Sequence, residues 1–311
     1  MIKIIIDADP GVDDAFAILL AANEEKLKIE GITTVAGNCS LEDATNNTFT
    51  ILNLCQRLDI PVYKGCNKAL EIEEVDALDV HGSNGLGGIN FEKVEKEVEK
   101  EHAVDYLISK AKENKGEITI VAIGPLTNIA SAIKKDSNFA SNVKSLIVMG
   151  GGINIGNITK YAEFNFYKDP QAAKIVFESN FKEIIMMGLD VTTKLPLKEK
   201  YEKMLNSSEE YIAKVLYDIT RNIAEFDRKK NKTEGAIIND PITIAHLIDE
   251  SIVKIKPANV DIVISGEEIG KTNVNFVDKS YIKVAYDVDS NRFYDLLFSK
   301  ILKNYKTINK D

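Results

Sequence analysis

The alternation of short, wholly apolar runs with amphipathic stretches constrains this chain more than any other feature. "IKIIID" reads as a buried strand and "DDAFAILLAAN" as the helix that follows it. "IEGITTVAGN" and "LEDATNNTFTILNLCQRL" repeat the pair, as do "EITIVAIG" and "LTNIASAIKK". "VKSLIVMGG" and "EIIMMGLDVT" are two further strands with the helix "DPQAAKIVFES" between them. Continuous Val/Ile runs fit strands buried on both faces, and intervening helices make such strands parallel. Right-handed crossovers then bring every strand's C-terminal end to one edge of the sheet, where ligands of such folds bind. The expected architecture is α/β, an open, mostly parallel, Rossmann-like sheet covered by helices. From about Leu197 to Lys230 the chain reads as helical, and "NDPITIAHLID" opens another helix. "SIVKIKPANVDIVIS", "KTNVNFVD" and "YIKVAYDVD" form a β-rich C-terminal addition, closed by a helix from about Asn291. The length of 311 residues allows one large domain or two small ones. No repeat or low-complexity linker divides it.

The first strand–helix junction is chemically costly. It sets Asp7, Asp9, Asp13 and Asp14 within eight positions, immediately behind an apolar run. Asp7 and Asp9 are two apart at a strand end and so leave the same face. Pro10-Gly11 forces a turn, and Asp13 and Asp14 fall in the first turn of a helix, where the dipole and free N–H groups favour carboxylates. Capping explains one or two of these groups. Four like charges destabilise each other unless a cation intervenes. Oxygen ligands without nearby His or Cys select Ca2+ or Mg2+. Two chemistries start this way: phosphoryl transfer of the haloacid-dehalogenase type, and metal-assisted hydrolysis of a glycosidic bond.

Bulk composition narrows the partners. Lys and Arg total 39 against 48 for Asp and Glu, a formal net charge of −9, which argues against a nucleic-acid backbone as partner. "FEKVEKEVEKEH" reads as a solvated helix face. Cys39, Cys55 and Cys66 have no metal-ligand spacing, and an odd, sparse count fits a reducing compartment. No apolar stretch is long enough to span a membrane, and the short run before Asp7 is no signal peptide, so a cytoplasmic location is expected. The three histidines, His81, His102 and His246, are too scattered for a zinc site. "HGSNGLGG" and "GGGINIGN" are Gly-rich loops in the wrong context for a dinucleotide, and there is no P-loop.

The rest of the chain chooses between the two chemistries. "DADPGVDDA" resembles the signature Asp-x-Asp-Pro-Gly-x-Asp-Asp-Ala of the inosine-uridine-preferring nucleoside hydrolase family. "TTVAGN", "HGSNGLGG", "AIGPLTNIA", "MGGGINIGNIT", "AEFNFYKDPQAA", "GLDVT" and "NDPITIAHLI" follow in that family's order, from Ile4 to about Ile248. The resemblance implies one nucleoside hydrolase domain over residues 1–311, with a small-molecule nucleoside as substrate. It implies Ca2+ as cofactor, held by Asp9, Asp14, Asp240 and the backbone carbonyl of Ile123. Asp9 would also be the base that deprotonates the attacking water. Asp13 would hold the sugar's 2′- and 3′-hydroxyls, with Asn38 facing the ribose. Asn157, Glu163 and Asn165 would hold the sugar further along, Met149 would touch it, and His81 would lie near the water and base. By resemblance the protein is expected to form a homodimer or homotetramer.

On their own, several of these residues have simpler readings. Asp240 before Pro241 is an ordinary helix N-cap, and so is Asp169 before Pro170. Asn38 alone is a turn residue, and residues 163–166 alone read as an amphipathic edge strand with Glu163 and Asn165 on one side. Asp7 and Asp190 are expected to be structural. The chain departs from the family at the catalytic position Asn239, where many relatives carry His, credited with protonating the departing base. Asn can only donate a hydrogen bond. No Trp is present to stack a base. Tyr217, Phe226 and the aromatics of residues 161–167 are the candidates for that task, and base contacts are expected within residues 200–238. Two alternatives stay open: hydrolysis of a modified or non-nucleoside riboside, and a weakly catalytic Ca2+-dependent ribose or nucleoside binder.

Overall fold

A computed structural model describes residues 1–72, 82, 84–153, 155–303 and 305. The strands are β1 (Ile2–Ala8), β2 (Leu27–Thr34), β3 (Val62–Lys64), β4 (Ile118–Ala122), β5 (Ser145–Met149), β6 (Ile184–Met187), β7 (Pro196–Leu197), β8 (Ala236–Ile237), β9 (Val253–Ile262), β10 (Thr272–Phe276) and β11 (Ile282–Val288). The α-helices are α1 (Val12–Ala22), α2 (Leu41–Leu54), α3 (Ala103–Glu113), α4 (Thr127–Lys135), α5 (Phe139–Asn142), α6 (Phe164–Lys168), α7 (Pro170–Phe177), α8 (Leu189–Thr192), α9 (Glu199–Ser207), α10 (Tyr211–Phe226), α11 (Pro241–Ile248) and α12 (Ser290–Ile301).

Nine strands form one sheet in the order β10-β9-β11-β6-β5-β4-β1-β2-β3. β1 to β6 are mutually parallel, and β11 runs parallel to β6. β9 and β10 return antiparallel at one edge. The β-rich tail is therefore a continuation of the main sheet. Its third strand, β11, inserts beside β6, and its first two lie outside it.

The apolar runs explain this layering. Ile4 and Ile6 of β1 belong to a core shared with α1, α10, α11 and α12. Ile5, between them, belongs to the opposite core with α3, α4 and α7. A strand buried on both faces needs consecutive apolar residues, which Ile4, Ile5 and Ile6 supply. Truncating any of these isoleucines to Ala costs about 2–5 kcal/mol in such a core. From β1 the chain steps out to β2 and β3, then returns to β1's other side for β4, β5 and β6. β1 and β4 thus mark the switch point, where loops diverge and leave a crevice beyond the strand ends.

Three local expectations are corrected. "FEKVEKEVEKEH" forms no helix, and Glu99 within it makes an isolated bridge to Tyr63 of β3. The run "EIIMMGLDVT" leaves the sheet at Met187, and its second half turns into α8 behind Gly188. Residues 164–168 are α6 and not an extended strand. Glu163 caps that helix, accepting hydrogen bonds from the N–H groups of Asn165 and Phe166 at 2.9 and 3.2 Å. A five-residue helix is too short to print a period in the sequence.

Candidate active site

The crevice beyond β1 and β4 holds a cavity of about 480 Å³, lined among others by Asp13, Asn38, Ile123, Met149, Asn157, Glu163, Asn165, Asn239 and Asp240. These residues come from six separate stretches of chain, and the strand ends bring them together. His81 lies outside the described residues.

Asp9 sits just past the end of β1 and is fully buried. Its Oδ2 accepts a hydrogen bond from the Asn38 backbone N–H at 2.6 Å, and its Oδ1 has no hydrogen-bond partner. Gly37 and Gly124 make room for it. A Cβ on Gly37 would stand 2.0 Å from Asp9 Oδ2, and one on Gly124 2.6 Å from Oδ1. Asp14 explains the helix-cap reading and its limit. Its Oδ2 accepts from the Gly11 N–H at 2.8 Å and from Asn38 Nδ2 at 3.2 Å, while Oδ1 is buried without a partner. Asp240 occupies the cap position of α11 but makes no side-chain cap hydrogen bond. Its carboxylate turns toward Asp14 instead.

Asp13, Asp14 and Asp240 each bring a carboxylate oxygen within 4.8 Å of the others, all three buried. Asp9 stands beside this trio, its charge felt by Asp240 and that of Asp14 by it. Two unit charges about 5 Å apart repel by roughly 3 kcal/mol at an effective dielectric near 20. Three such pairs approach the whole stability of a typical domain, about 5–15 kcal/mol. No ion pair involves Asp9, Asp14 or Asp240 among the described residues. Without a cation the cluster must take up protons. Burial first, and then the neighbouring carboxylates, push Asp9 and Asp240 well above the ordinary range and Asp14 to about 7. Orphaned buried oxygens in an all-oxygen, mutually repelling set fit a hard divalent cation.

The remaining residues fall around this cluster. Asn165 Nδ2 donates to the carbonyl oxygens of Ile123 (3.1 Å) and Met149 (3.2 Å). The Ile123 carbonyl keeps a second lone pair. Glu163 is held by the N–H groups of Gly151, Asn165 and Phe166, and burial raises its carboxyl to about 7. Asn157 Oδ1 accepts from the Phe164 N–H at 2.9 Å. Asn239 Nδ2 donates to Asp13 Oδ2 at 3.2 Å.

Asp7 is tied elsewhere. Its Oδ1 accepts from Thr33 Oγ1 and from Asn128 Nδ2, pinning β1 to β2 and α4. Asp169 caps α7 and also receives Thr127 Oγ1. Asp190 Oδ2 accepts from the Ile153 N–H.

The aromatic candidates divide. Phe226 and Phe164 line the cavity. Tyr217 lines a separate groove with Glu202 and Arg221, and Phe166 packs edge-on against Phe177 in the core. The far wall of the cavity holds residues that the sequence did not single out: Asp227, Lys230, Asn231, Thr233 and Ile237, within the 200–238 stretch expected to contact the base, and Ile155 and Ile158 outside it. Three of these, Asp227, Lys230 and Asn231, come from a five-residue π-helical turn, Asp227–Asn231, continuing α10. The stretch "DRKKN" gives only a charged pattern, and nothing in it signals the change of helical pitch.

Known proteins share this fold. Residues 4–295 match the family described as inosine-uridine preferring nucleoside hydrolase. Uridine nucleosidase 1 of Arabidopsis thaliana is 34% identical, the alignment covering 97% of this chain and 93% of that protein. A solved plant nucleoside hydrolase, the PpNRh1 enzyme, superposes with a TM-score of 0.91 at 34% identity, covering 96% of this chain and 98% of its own. The purine-preferring ribonucleoside hydrolase of Gardnerella vaginalis superposes with a TM-score of 0.90 at 30% identity and the same coverages. A match over almost the full length gives the chain its place: it belongs to the inosine-uridine preferring nucleoside hydrolase family.

Proposed function

We propose that this ribonucleoside hydrolase cleaves the N-glycosidic bond in a Ca2+-dependent reaction, releasing ribose and a free purine or pyrimidine base. The observation that carries the reading is the buried carboxylate cluster, with partnerless oxygens on Asp9 and Asp14, opening onto a cavity lined by amides. The continuity of all nine strands supports residues 1–311 as one catalytic domain.

Asp9, Asp14, Asp240 and the Ile123 carbonyl would hold the ion. When bound, Ca2+ supplies charge that acidifies water and draws in the sugar diol. Asp9 then takes the proton of the attacking water on its partnerless Oδ1. Asp13 holds the 2′- and 3′-hydroxyls, itself oriented by Asn239, and Asn38 closes the ribose's near side. Asn157, Glu163 and Asn165 hold the rest of the sugar, with Met149 beneath it. The C1′–N bond lengthens toward an oxocarbenium-like transition state, and the surrounding carboxylates favour the positive charge that develops on the sugar. Substrate orientation by these buried, mutually bonded side chains supplies much of the acceleration.

The test is incubation with a panel of purine and pyrimidine ribosides, with Ca2+ and with chelator, assaying reducing sugar and free base. Turnover lost on chelation and restored by Ca2+ is expected. Tight nucleoside binding without product would instead make the protein a binding module.

A further inference from the structure

At the ribose end, Asp9 accounts for the water's proton. At the other end the base departs with an electron pair and needs a proton of its own, which the Asn239 amide cannot give. Asp227 stands at that end. It lines the cavity beside Phe226, Asn231 and Ile237, yet is only 4% exposed. Its carboxyl is held in place: Oδ2 accepts the Ile237 N–H at 2.7 Å and Oδ1 accepts Asn231 Nδ2 at 2.6 Å. It also opens the π-helical turn, which closes at Lys232 in the left-handed region, φ 58°. Single π-turns concentrate at functional sites, and this one sets Asp227, Lys230 and Asn231 on the cavity wall.

Each Asp227 oxygen keeps a lone pair beyond the hydrogen bond it accepts, so either can carry a proton. Burial raises this carboxyl above the ordinary range, and the charge of Asp13 adds to the effect. The other carboxyls on the described wall are otherwise engaged. Glu163 takes three backbone N–H groups, and Asp13 and Asp240 belong to the acidic cluster.

We propose that Asp227 is the acid that protonates the departing base. As the C1′–N bond breaks, its electron pair stays with the base, and the Asp227 proton moves onto the base. Asp227 is left as a carboxylate, whose charge the Ile237 N–H and the Asn231 amide hold; both bonds strengthen as that charge develops. The water's oxygen joins C1′ and its proton goes to Asp9. Asp9 then releases a proton to solvent and Asp227 regains one from it, so that riboside and water become ribose and the neutral free base.

The inference rests on the nucleoside hydrolase reading and deepens it. Its test compares neutral nucleosides with p-nitrophenyl β-D-ribofuranoside, whose leaving group departs as a stable phenolate. Acid catalysis is typically worth about 10²–10⁴-fold. D227N should therefore lose on nucleosides at least about 30-fold more than on the p-nitrophenyl riboside, with D227E recovering part of the difference. N231A keeps the carboxyl but removes one of its donors, and should show the same selectivity at smaller size. It also serves if D227N does not fold. Equal losses on both substrates in D227N and N231A, or no loss on nucleosides, overturn the role of Asp227 alone. A wild-type protein that cleaves neither compound overturns the functional reading beneath it.

Discussion

At the ribose end of the cavity the carboxylates issue from the mouth of a parallel strand or from a helix end. At the base end the wall hangs on α10 and the turn that follows it. The ribose end is buried and cross-linked: Asn38 alone bonds both Asp9 and Asp14, and Asn165 bridges the ends of β4 and β5. At the base end Lys230 and Asn231 are exposed, and Lys230 rests on the Phe226 ring, 4.8 Å from its centroid. On the proposed reading the core thus fixes the hydrolytic half, while the base-facing half stands on a surface element. This chain is similar both to a uridine nucleosidase, at 34% identity, and to a purine-preferring hydrolase, at 30%.

The comparison can be broken first at the acidic cluster. D14N or D240N removes a carboxylate from the buried trio and should lower kcat/KM on every riboside by about 10³-fold, equivalent to several kcal/mol of transition-state stabilisation. A loss confined to some bases would mean that the two ends are not separable.

Stability supplies the next effect. In metal-free protein, Asp14 lies near 7, and burial and the neighbouring carboxylates hold Asp9 and Asp240 well above the ordinary range, whereas the unfolded chain releases these protons near 3.8. The native state holds the extra protons, so metal-free stability should fall as pH rises from about 4 through 7, by up to about 1.4 kcal/mol per pH unit for each group. Thermal melts in chelator should show this slope, and saturating Ca2+ should flatten it. A slope unchanged by Ca2+ would place the ion elsewhere.

At the base end, F226A should cost about 1–3 kcal/mol in kcat/KM, the worth of stacking one base on an aromatic ring, with different losses for purines and pyrimidines. Calorimetric Ca2+ affinity should be untouched by it. Smallest of all is N239H. With Asp227 as the acid and Asn239 only orienting Asp13, restoring His should change nucleoside turnover by less than about threefold, under 1 kcal/mol of barrier.

The same contrast decided what the sequence revealed. The strands and the acidic junction are legible because a fully buried strand writes itself as an unbroken apolar run, and four aspartates behind it have no inexpensive structural use. Asp240 is legible only in part. Its Asp-Pro pair signals a cap, yet the side chain abandons the cap for Asp14, a choice made by residues more than two hundred positions away. Tyr217 and Phe226 lie on one helix and look equivalent in sequence, but packing turns one to an outer groove and the other to the cavity. Asp227 is hidden in a charged run because the π-turn that aims it depends on bonds to Ile237 and Asn231. The pairing of β11 with β6 joins residues about a hundred apart, which no local pattern records.

Calorimetric titration of Ca2+ into chelator-treated protein at neutral pH tests the central claim most directly, with wild type, D14N and D240N side by side. The account predicts one saturable site per chain in the wild type, with protons released on binding, and loss of that site in both variants. No saturable binding up to about 1 mM, the weak limit for protein calcium sites, or binding that survives in both variants, would contradict it.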